Sequence, residues 1–379
     1  MKYMGSKRSM LKNGLGEMLE VLVPKAENFF DLFTGSGAVA GHVAQRFNIK
    51  VYAGDLQYYA AVLAASQIEQ TEGFDAKSVA EKWIRAASQW LLEEIKGIGL
   101  PNALPEIYST SELWRNAVYA GREYCNNLPS SFPLAKAYGG YYFSPMQAMV
   151  LDALRQSLPI DKNINVLAAL IDAASDCAAS PGHTAQPFGT KDTALPHLAK
   201  AWSKDVVQAA TLALERIALN IAKIKGCALQ TDALQLSEKL NEGDVAFIDP
   251  PYSEVQYSRF YHVLEAVAIG MVEDVKGVGR YPEIKCRPQS EFSRISQSAE
   301  AFNTLMIGVA ASGAQAIVTF PSGDASNGLS GELVEEISSQ YFHVRTRKIS
   351  SIFSTMGGNS VNRDARSSAT ELVLHLVPK

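Results

Sequence analysis

Apolar positions cluster in short, nearly unbroken runs towards both ends of the chain and in helix-spaced stripes between them. Asn28 to Phe33 is one such run and predicts a strand, followed by Thr34-Gly35-Ser36-Gly37. The Ala- and Val-rich stretch from Ala38 to Phe47 predicts a helix, Lys50 to Ala53 a second strand ending at Gly54-Asp55, and Tyr58 to Ile68 a second helix. Such a strand-helix-strand-helix series builds a parallel sheet. Strand patterns return at Gly226 to Thr231, Asp244 to Ile248, Ala314 to Phe320, Tyr341 to Ser350 and Glu371 to Val377. Between the two groups, helical stripes at Ala76 to Ile95, Met146 to Ser157 and Val206 to Lys223 are separated by connectors rich in Pro, Gly and Tyr, with no β-type alternation. The pattern predicts an α/β domain assembled from 1–68 and 211–379, interrupted by a mainly helical insertion at 69–210. No internal repeat is visible.

Composition changes this picture little. A chain of 379 residues exceeds one ordinary core, which suits a large domain with an insertion. Hydrophobic residues make up 47% and charged residues 20%, a globular composition. The net charge of -4 and pI near 5.9 exclude a generally polybasic surface, so a nucleic-acid partner would need a local basic groove. Cys125, Cys177, Cys227 and Cys286 form no CxxC pair and have no closely spaced histidines, which predicts buried or half-buried free thiols and no metal site. Lys2, Lys7 and Arg8 precede no apolar signal core, and no stretch approaches 18 uninterrupted apolar residues. A cytoplasmic protein without a membrane partner is expected.

Two clusters carry candidate chemistry. Gly35 and Gly37 stand between a strand and a helix, where missing side chains let a ligand approach backbone amides. Asp55, at the end of the next strand, is placed to accept ribose hydroxyls or to cap the following helix. The spacing is not that of a GxGxxG dinucleotide loop. The second cluster is Asp249-Pro250-Pro251-Tyr252, directly after the apolar run Val245 to Ile248. Ligands of open α/β sheets bind at such carboxyl ends, and the two prolines fix the directions of the Asp249 carboxylate, the Pro250 carbonyl and the Tyr252 ring. A planar base with an exocyclic amine could use all three; by itself the tetrapeptide is also an ordinary turn with a packed tyrosine.

Asp31-Leu-Phe33-Thr-Gly35-Ser-Gly37 resembles the S-adenosylmethionine loop of class I methyltransferases, and Asp249-Pro-Pro-Tyr252 resembles the signature of amino-methyltransferases acting on adenine or cytosine. Lys2-Tyr3-Met4-Gly5-Ser6-Lys7 resembles the additional N-terminal motif of Dam-like DNA adenine-N6 methyltransferases, and the motif order is that of their alpha group. The resemblance spans roughly 1–66 and 220–379. It implies a class I methyltransferase fold with a mostly parallel seven-stranded sheet and a late antiparallel hairpin. It also implies that Gly35 and Gly37 hold the methionine part of S-adenosylmethionine, Asp31 its amino group, Asp55 the ribose, and Asp232 and Phe33 the adenine. Tyr3 and Lys7 would close over that pocket, and no metal is called for.

By the same resemblance, Asp249 and the Pro250 carbonyl would orient the target amine and Tyr252 would stack on a base flipped from the duplex. For contact with double-stranded DNA the candidates are Tyr257 and Arg259 after the tetrapeptide, Lys285 and Arg287 in the basic stretch 276–294, and Asn362, Arg363 and Arg366 in a late basic hairpin. Site-specific adenine-N6 methylation of DNA is the function implied. Cytosine-N4 methylation, RNA adenine methylation and a catalytically inactive DNA-binding protein stay open beside it. So do restriction or phage-defence partners, the target sequence and the oligomeric state.

Overall fold

The fold is taken from a computed structural model, which describes residues 7–272, 274–354 and 366–379, the side chains of 351–354 and 366–369 excepted. The described chain forms two compact units. One comprises 7–73, 220–257 and 288–379, and the other 74–219 and 258–287. In chain order the strands are β1 (Asn28–Asp31), β2 (Lys50–Asp55), β3 (Cys227–Gln230), β4 (Val245–Ile248), β5 (Val275–Lys276), β6 (Tyr281–Pro282), β7 (Gln315–Pro321), β8 (Phe342–Ser354) and β9 (Arg366–Pro378).

The first unit is built on a seven-stranded sheet in the order β3-β2-β1-β4-β7-β9-β8. The pairs from β3 through to β7 are parallel, and β9 runs antiparallel to both β7 and β8. This is the mostly parallel sheet with a late antiparallel hairpin expected of the class I methyltransferase fold. Both faces of its central strands are covered, which is why they read as unbroken apolar runs. Phe29, Val245 and Phe247 point into one core with helices Gly14–Leu22, Ala38–Arg46 and Tyr58–Ile68. Phe30, Ala246 and Ile248 point into the other with Ser298–Ala311 and Gly331–Tyr341. The period-two alternation of the strands therefore divides each of them between two cores.

β1 pairs with β2 on one side and β4 on the other, with Phe29 opposite both Val51 and Val245. The chain leaves β1 towards one side of the sheet and returns to its other side in β4. That is a topological switch point, where a crevice opens beyond the carboxyl ends of two adjacent parallel strands. The glycine loop follows one of these strands and the Asp249 tetrapeptide follows the other.

The second unit is mainly helical. Its longest helix, Ala76–Glu94, is capped by Asp75, whose side chain accepts from the Ser78 amide. Ser111–Asn126, Pro145–Gln156, Asn163–Cys177, Val206–Ala218 and His262–Ile269 belong to the same unit, together with the small antiparallel pair of β5 and β6.

Several local expectations are corrected. The helix expected to reach Lys223 ends at Ala218, before an irregular stretch in which Lys223 turns its amide to the Ala44 carbonyl and its ammonium to the Arg46 carbonyl. Cys286 is exposed, while Cys125 and Cys177 are buried and Cys227 half-buried. The basic stretch 276–294 contains the β5/β6 pair and two short 3-10 turns in place of a plain loop. No helix among the described residues is long and apolar enough to cross a membrane.

Candidate active site

The glycine loop owes its shape to backbone geometry that side chains disfavour. Gly35 and Gly37 have φ of +50° and +72°, and Gly37 is the cap of helix Ala38–Arg46. A Cβ on Gly37 would also collide with Gln67, whose Nε2 donates to the Ser36 carbonyl at 3.0 Å. The Thr34 amide donates to the Gly54 carbonyl at 3.0 Å, and the Gly35 amide donates to Asp55 Oδ2 at 3.0 Å. The other Asp55 oxygen accepts from the Gln57 amide at 3.0 Å. Asp55 therefore ties the loop to the end of β2 with one lone pair on each oxygen. Burial raises its pKa to about 6, against the lowering effect of these backbone donors.

Asp31, at the end of β1, is almost fully buried. Its Oδ2 accepts from the Thr34 hydroxyl at 3.3 Å and the Ala40 amide at 3.2 Å, while Oδ1 has no hydrogen-bond partner among the described residues. Burial, with the negative charge of Asp249 adding to it, raises its pKa to about 7. Phe33 packs edge-on against Phe292 at 5.0 Å between ring centres. Asp232 accepts from the Leu234 amide at 2.8 Å and so caps the short helix Ala233–Ser237.

Asp249 follows β4 and is held from two sides. Thr319 on β7 donates its hydroxyl to Oδ1 at 2.8 Å, and Lys7 Nζ lies 3.0 Å from the same oxygen. Lys7 is 5% exposed and also meets Glu371 Oε2 on β9 at 3.3 Å, with its ammonium 5.8 Å from the Tyr252 ring centre. Burial works against the Lys7 cation, but Asp249 and Glu371 together hold its pKa above the ordinary range. Burial raises the Asp249 pKa, and Lys7 opposes that rise. Both anchors fall on Oδ1.

The turn after Asp249 is fixed by Asn327, which is fully buried. Its Nδ2 donates to the Pro251 carbonyl at 2.7 Å and the Phe292 carbonyl at 2.9 Å, and its Oδ1 accepts from the Leu329 amide at 3.2 Å. Tyr257, half-buried, shares a hydrogen bond with Tyr252; burial and the nearby Tyr252 and Asp249 push its phenol well above the ordinary value.

One unit thus contains Lys7, Asp31, Phe33, Gly35, Gly37, Asp55, Asp232, the tetrapeptide and Tyr257. Arg259, Lys285 and Arg287 belong to the helical unit. There the Arg259 guanidinium lies 4.7 Å and that of Arg287 5.8 Å from the centre of the Tyr281 ring, and Lys285 pairs with Glu283 at 3.2 Å. Tyr3, Asn362 and Arg363 lie outside the described residues, as does the side chain of Arg366. The motifs did not reveal Gln67, Thr319, Asn327 or Glu371. Of these only Thr319, a hydroxyl inside the apolar run Ala316 to Phe320, carries a local signal. Among the described residues no group of three or more His, Cys, Asp or Glu could hold a metal ion.

Residues 3–92 match the family model of the D12 class N6 adenine-specific DNA methyltransferases. The chain is 24% identical over 316 residues to the modification methylase LlaI of Lactococcus lactis subsp. lactis, covering 80% of this chain and 43% of that protein. It is 26% identical to the type II methyltransferase M.FokI of Planomicrobium okeanokoites, over 81% of this chain and 42% of the relative. It is 27% identical to the type II methyltransferase M.NlaIII of Neisseria lactamica, over 71% of this chain and 69% of the relative. The chain thus spans less than half the length of the first two of these proteins.

Proposed function

We propose, from the match of residues 3–92 to the D12 class of N6 adenine-specific DNA methyltransferases, that this chain is such an enzyme and methylates the N6 amine of adenine at specific sites in double-stranded DNA, with S-adenosylmethionine as donor. The observation that carries the proposal is the pairing of two carboxylates at the ends of adjacent parallel strands. Asp31 ends β1 with one unsatisfied oxygen, and Asp249 follows β4 with Thr319 and Lys7 both on Oδ1, so that Oδ2 would be the oxygen offered to substrate. A buried carboxylate oxygen without a partner is costly unless a ligand donates to it.

That orphaned oxygen and the open glycine loop fit the donor. Asp31 would accept from its amino group, the amides beside Gly35 and Gly37 would receive its methionine part, and the free lone pairs of Asp55 its ribose. Asp232 and Phe33 would border the adenine. When bound, the donor supplies an electrophilic methyl group on a sulfonium.

Adenine N6 is a poor nucleophile because its lone pair is delocalised into the ring. Asp249 Oδ2 accepts one N–H and the Pro250 carbonyl the other, which favours a pyramidal amine whose lone pair points at the methyl carbon. Transfer would join the methyl carbon to N6 and release the donor as its thioether, and Asp249, which holds the N–H, would take the surplus proton from nitrogen. Lys7 and Thr319 hold Asp249 Oδ1 and favour its ionised form against the effect of burial. Tyr252 stacks on the extruded base; stacking contributes roughly 1–3 kcal/mol per base, against an unstacking cost of a few kcal/mol, so contacts to the flanking duplex must supply the remainder. Those contacts, and the choice of target sequence, are assigned to the helical unit and the late hairpin. The likeness to modification methylases supports a role in restriction-modification or phage defence.

Incubation with labelled donor and separate DNA and RNA pools, followed by identification of the labelled nucleoside, tests this reading. N6-methyladenine confined to DNA is the expected product. N4-methylcytosine or label in RNA alone contradicts the substrate assignment, and no transfer across a broad set of duplexes contradicts the activity.

A further inference from the structure

The helical unit carries two tyrosines, each bearing two arginines. Arg122 and Arg280 lie 4.1 and 4.7 Å from the centre of the Tyr141 ring, and Arg122 is also 5.8 Å from that of Tyr119. Arg259 and Arg287 lie on Tyr281 in the same way. The pairs are joined through the backbone, since Arg280 and Tyr281 are consecutive at the start of β6.

The platform is rigid. Tyr281 donates its hydroxyl to the Ala185 carbonyl, and a side chain on Gly279 would run into the Tyr281 ring. The Tyr142 hydroxyl reaches the Gly279 carbonyl at 2.9 Å and the Thr184 carbonyl at 2.6 Å. Buried His262 packs against Tyr138, Tyr142 and Tyr281 with ring centres 5.7, 5.8 and 5.0 Å away. Arg280 adopts φ of +52°, unusual for a side-chain-bearing residue, and its Nε donates to the Ala137 carbonyl at 2.7 Å. Arg122 Nε donates to the Gly140 carbonyl at 2.9 Å. These carbonyls orient the guanidiniums without neutralising them.

Among the described residues no ion pair joins Arg122, Arg259 or Arg280 to a carboxylate, whereas the nearby Lys276 and Lys285 are both paired with Glu283. Burial lowers the pKa of Arg122, and Arg280 adds to the lowering; burial and Arg259 act likewise on Arg287. Holding like charges this close is unfavourable unless an anion joins them. Arg280 gives Nε to the Ala137 carbonyl and Nη2 to the Lys136 carbonyl, and Arg122 gives Nε to Gly140, so their remaining N–H groups are those that would meet a phosphate.

We propose that the Arg122/Tyr141/Arg280 and Arg259/Tyr281/Arg287 stacks form a two-part phosphate clamp that grips neighbouring phosphates of a DNA strand, independent of base sequence. This deepens the reading of the chain as a DNA methyltransferase and rests on it for the identity of the polyanion. The clamp places backbone grip in the helical unit, at residues such as Arg122, Arg280 and Tyr141 that no motif marks.

The test measures binding of the full chain to a short duplex of arbitrary sequence at several salt concentrations, for wild type, Arg259→Gln, Arg122→Gln and the double variant. The Arg259 side chain is exposed and lies over the Tyr281 ring, and its backbone contact with His262 does not depend on the side chain, so its substitution should leave the fold in place, as a melting curve verifies. Each lost phosphate contact should reduce the slope of log K against log salt by about 0.9, and the double variant by about twice that. Arg259→Lys, which keeps the charge and loses the planar fork, should fall between wild type and Arg259→Gln. Unchanged slopes in folded variants would overturn the clamp. Methyl transfer by the wild type is followed in parallel: transfer with unchanged slopes sinks the clamp alone, and reduced slopes without transfer sink the methylation reading while the clamp stands.

Discussion

Asp249 and Asp31 answer to different demands, and their surroundings separate them. Replacing Asp249 with Ala leaves Lys7 its second partner, Glu371 at 3.3 Å, so the protein should stay folded while methyl transfer falls by about 10²–10³. Circular dichroism and turnover on the same samples check this. Lys7→Met removes the cation that opposes the raised pKa of Asp249, while burial and Glu371 still push it up. Because the reaction needs the carboxylate ionised, the acid limb of kcat/KM should move to higher pH; an unmoved limb would separate Lys7 from the chemistry. Asp31 has a different signature. In the unfolded chain it titrates near the ordinary carboxylate value, about 3.9, and in the folded protein at about 7. Its contribution to stability is therefore full below the lower value and is lost as pH rises through about 7. Asp31→Asn should be more stable than wild type at pH 8, by up to about 4 kcal/mol, with the difference vanishing near pH 4, and should bind the donor more weakly. Denaturant unfolding at both pH values reads the first, and donor titration reads the second. Asp31 and Asp249 were legible in the sequence because each ends an apolar run beside glycines or prolines. Lys7 was legible as a residue of the pocket, but its partners were not, since Glu371 lies at the far end of the chain and only the pairing of β7 with β9 brings it near.

At the scale of elements, the site depends on two loops that share a strand boundary. The strands themselves were readable, because burial on both faces makes them unbroken apolar runs. The helices Ser111–Asn126 and Asn163–Cys177 were not singled out. Asn163–Cys177 is buried nearly all round and so lacks an amphipathic stripe. The two-residue strands β5 and β6 are too short for any alternation to register. Loop supports were equally silent: Gln67 and Asn327 are single amides whose role exists only once distant segments meet. Gly37→Ala imposes a side chain at φ +72° and against Gln67, so it should weaken donor binding and lower the melting temperature together. Asn327→Ala leaves the Pro251 and Phe292 carbonyls without their shared donor. A loss of about 1–3 kcal/mol in unfolding free energy is expected, with turnover reduced and donor affinity unchanged. Equal loss of donor affinity would place Asn327 in the donor site instead.

At the scale of the molecule, composition pointed away from nucleic acid, with a net charge of -4. The basic groups that matter for the proposed function are few, and they are concentrated by folding. Arg122 and Arg280 stand 158 positions apart in the sequence yet share the Tyr141 ring, a placement that no local charge count reveals. The same division holds for the proposed function: methyl-transfer chemistry is proposed for the sheet unit, and grip on DNA for the helical one. The central claim is that the chain methylates adenine N6 in DNA with Asp249 orienting the amine, and nucleoside mass spectrometry of a duplex incubated with the donor and either wild type or Asp249→Ala tests it most directly. The account predicts N6-methyladenine with the wild type and at least about 100-fold less with the variant. N4-methylcytosine as the product, or N6-methyladenine undiminished by the substitution, would contradict it.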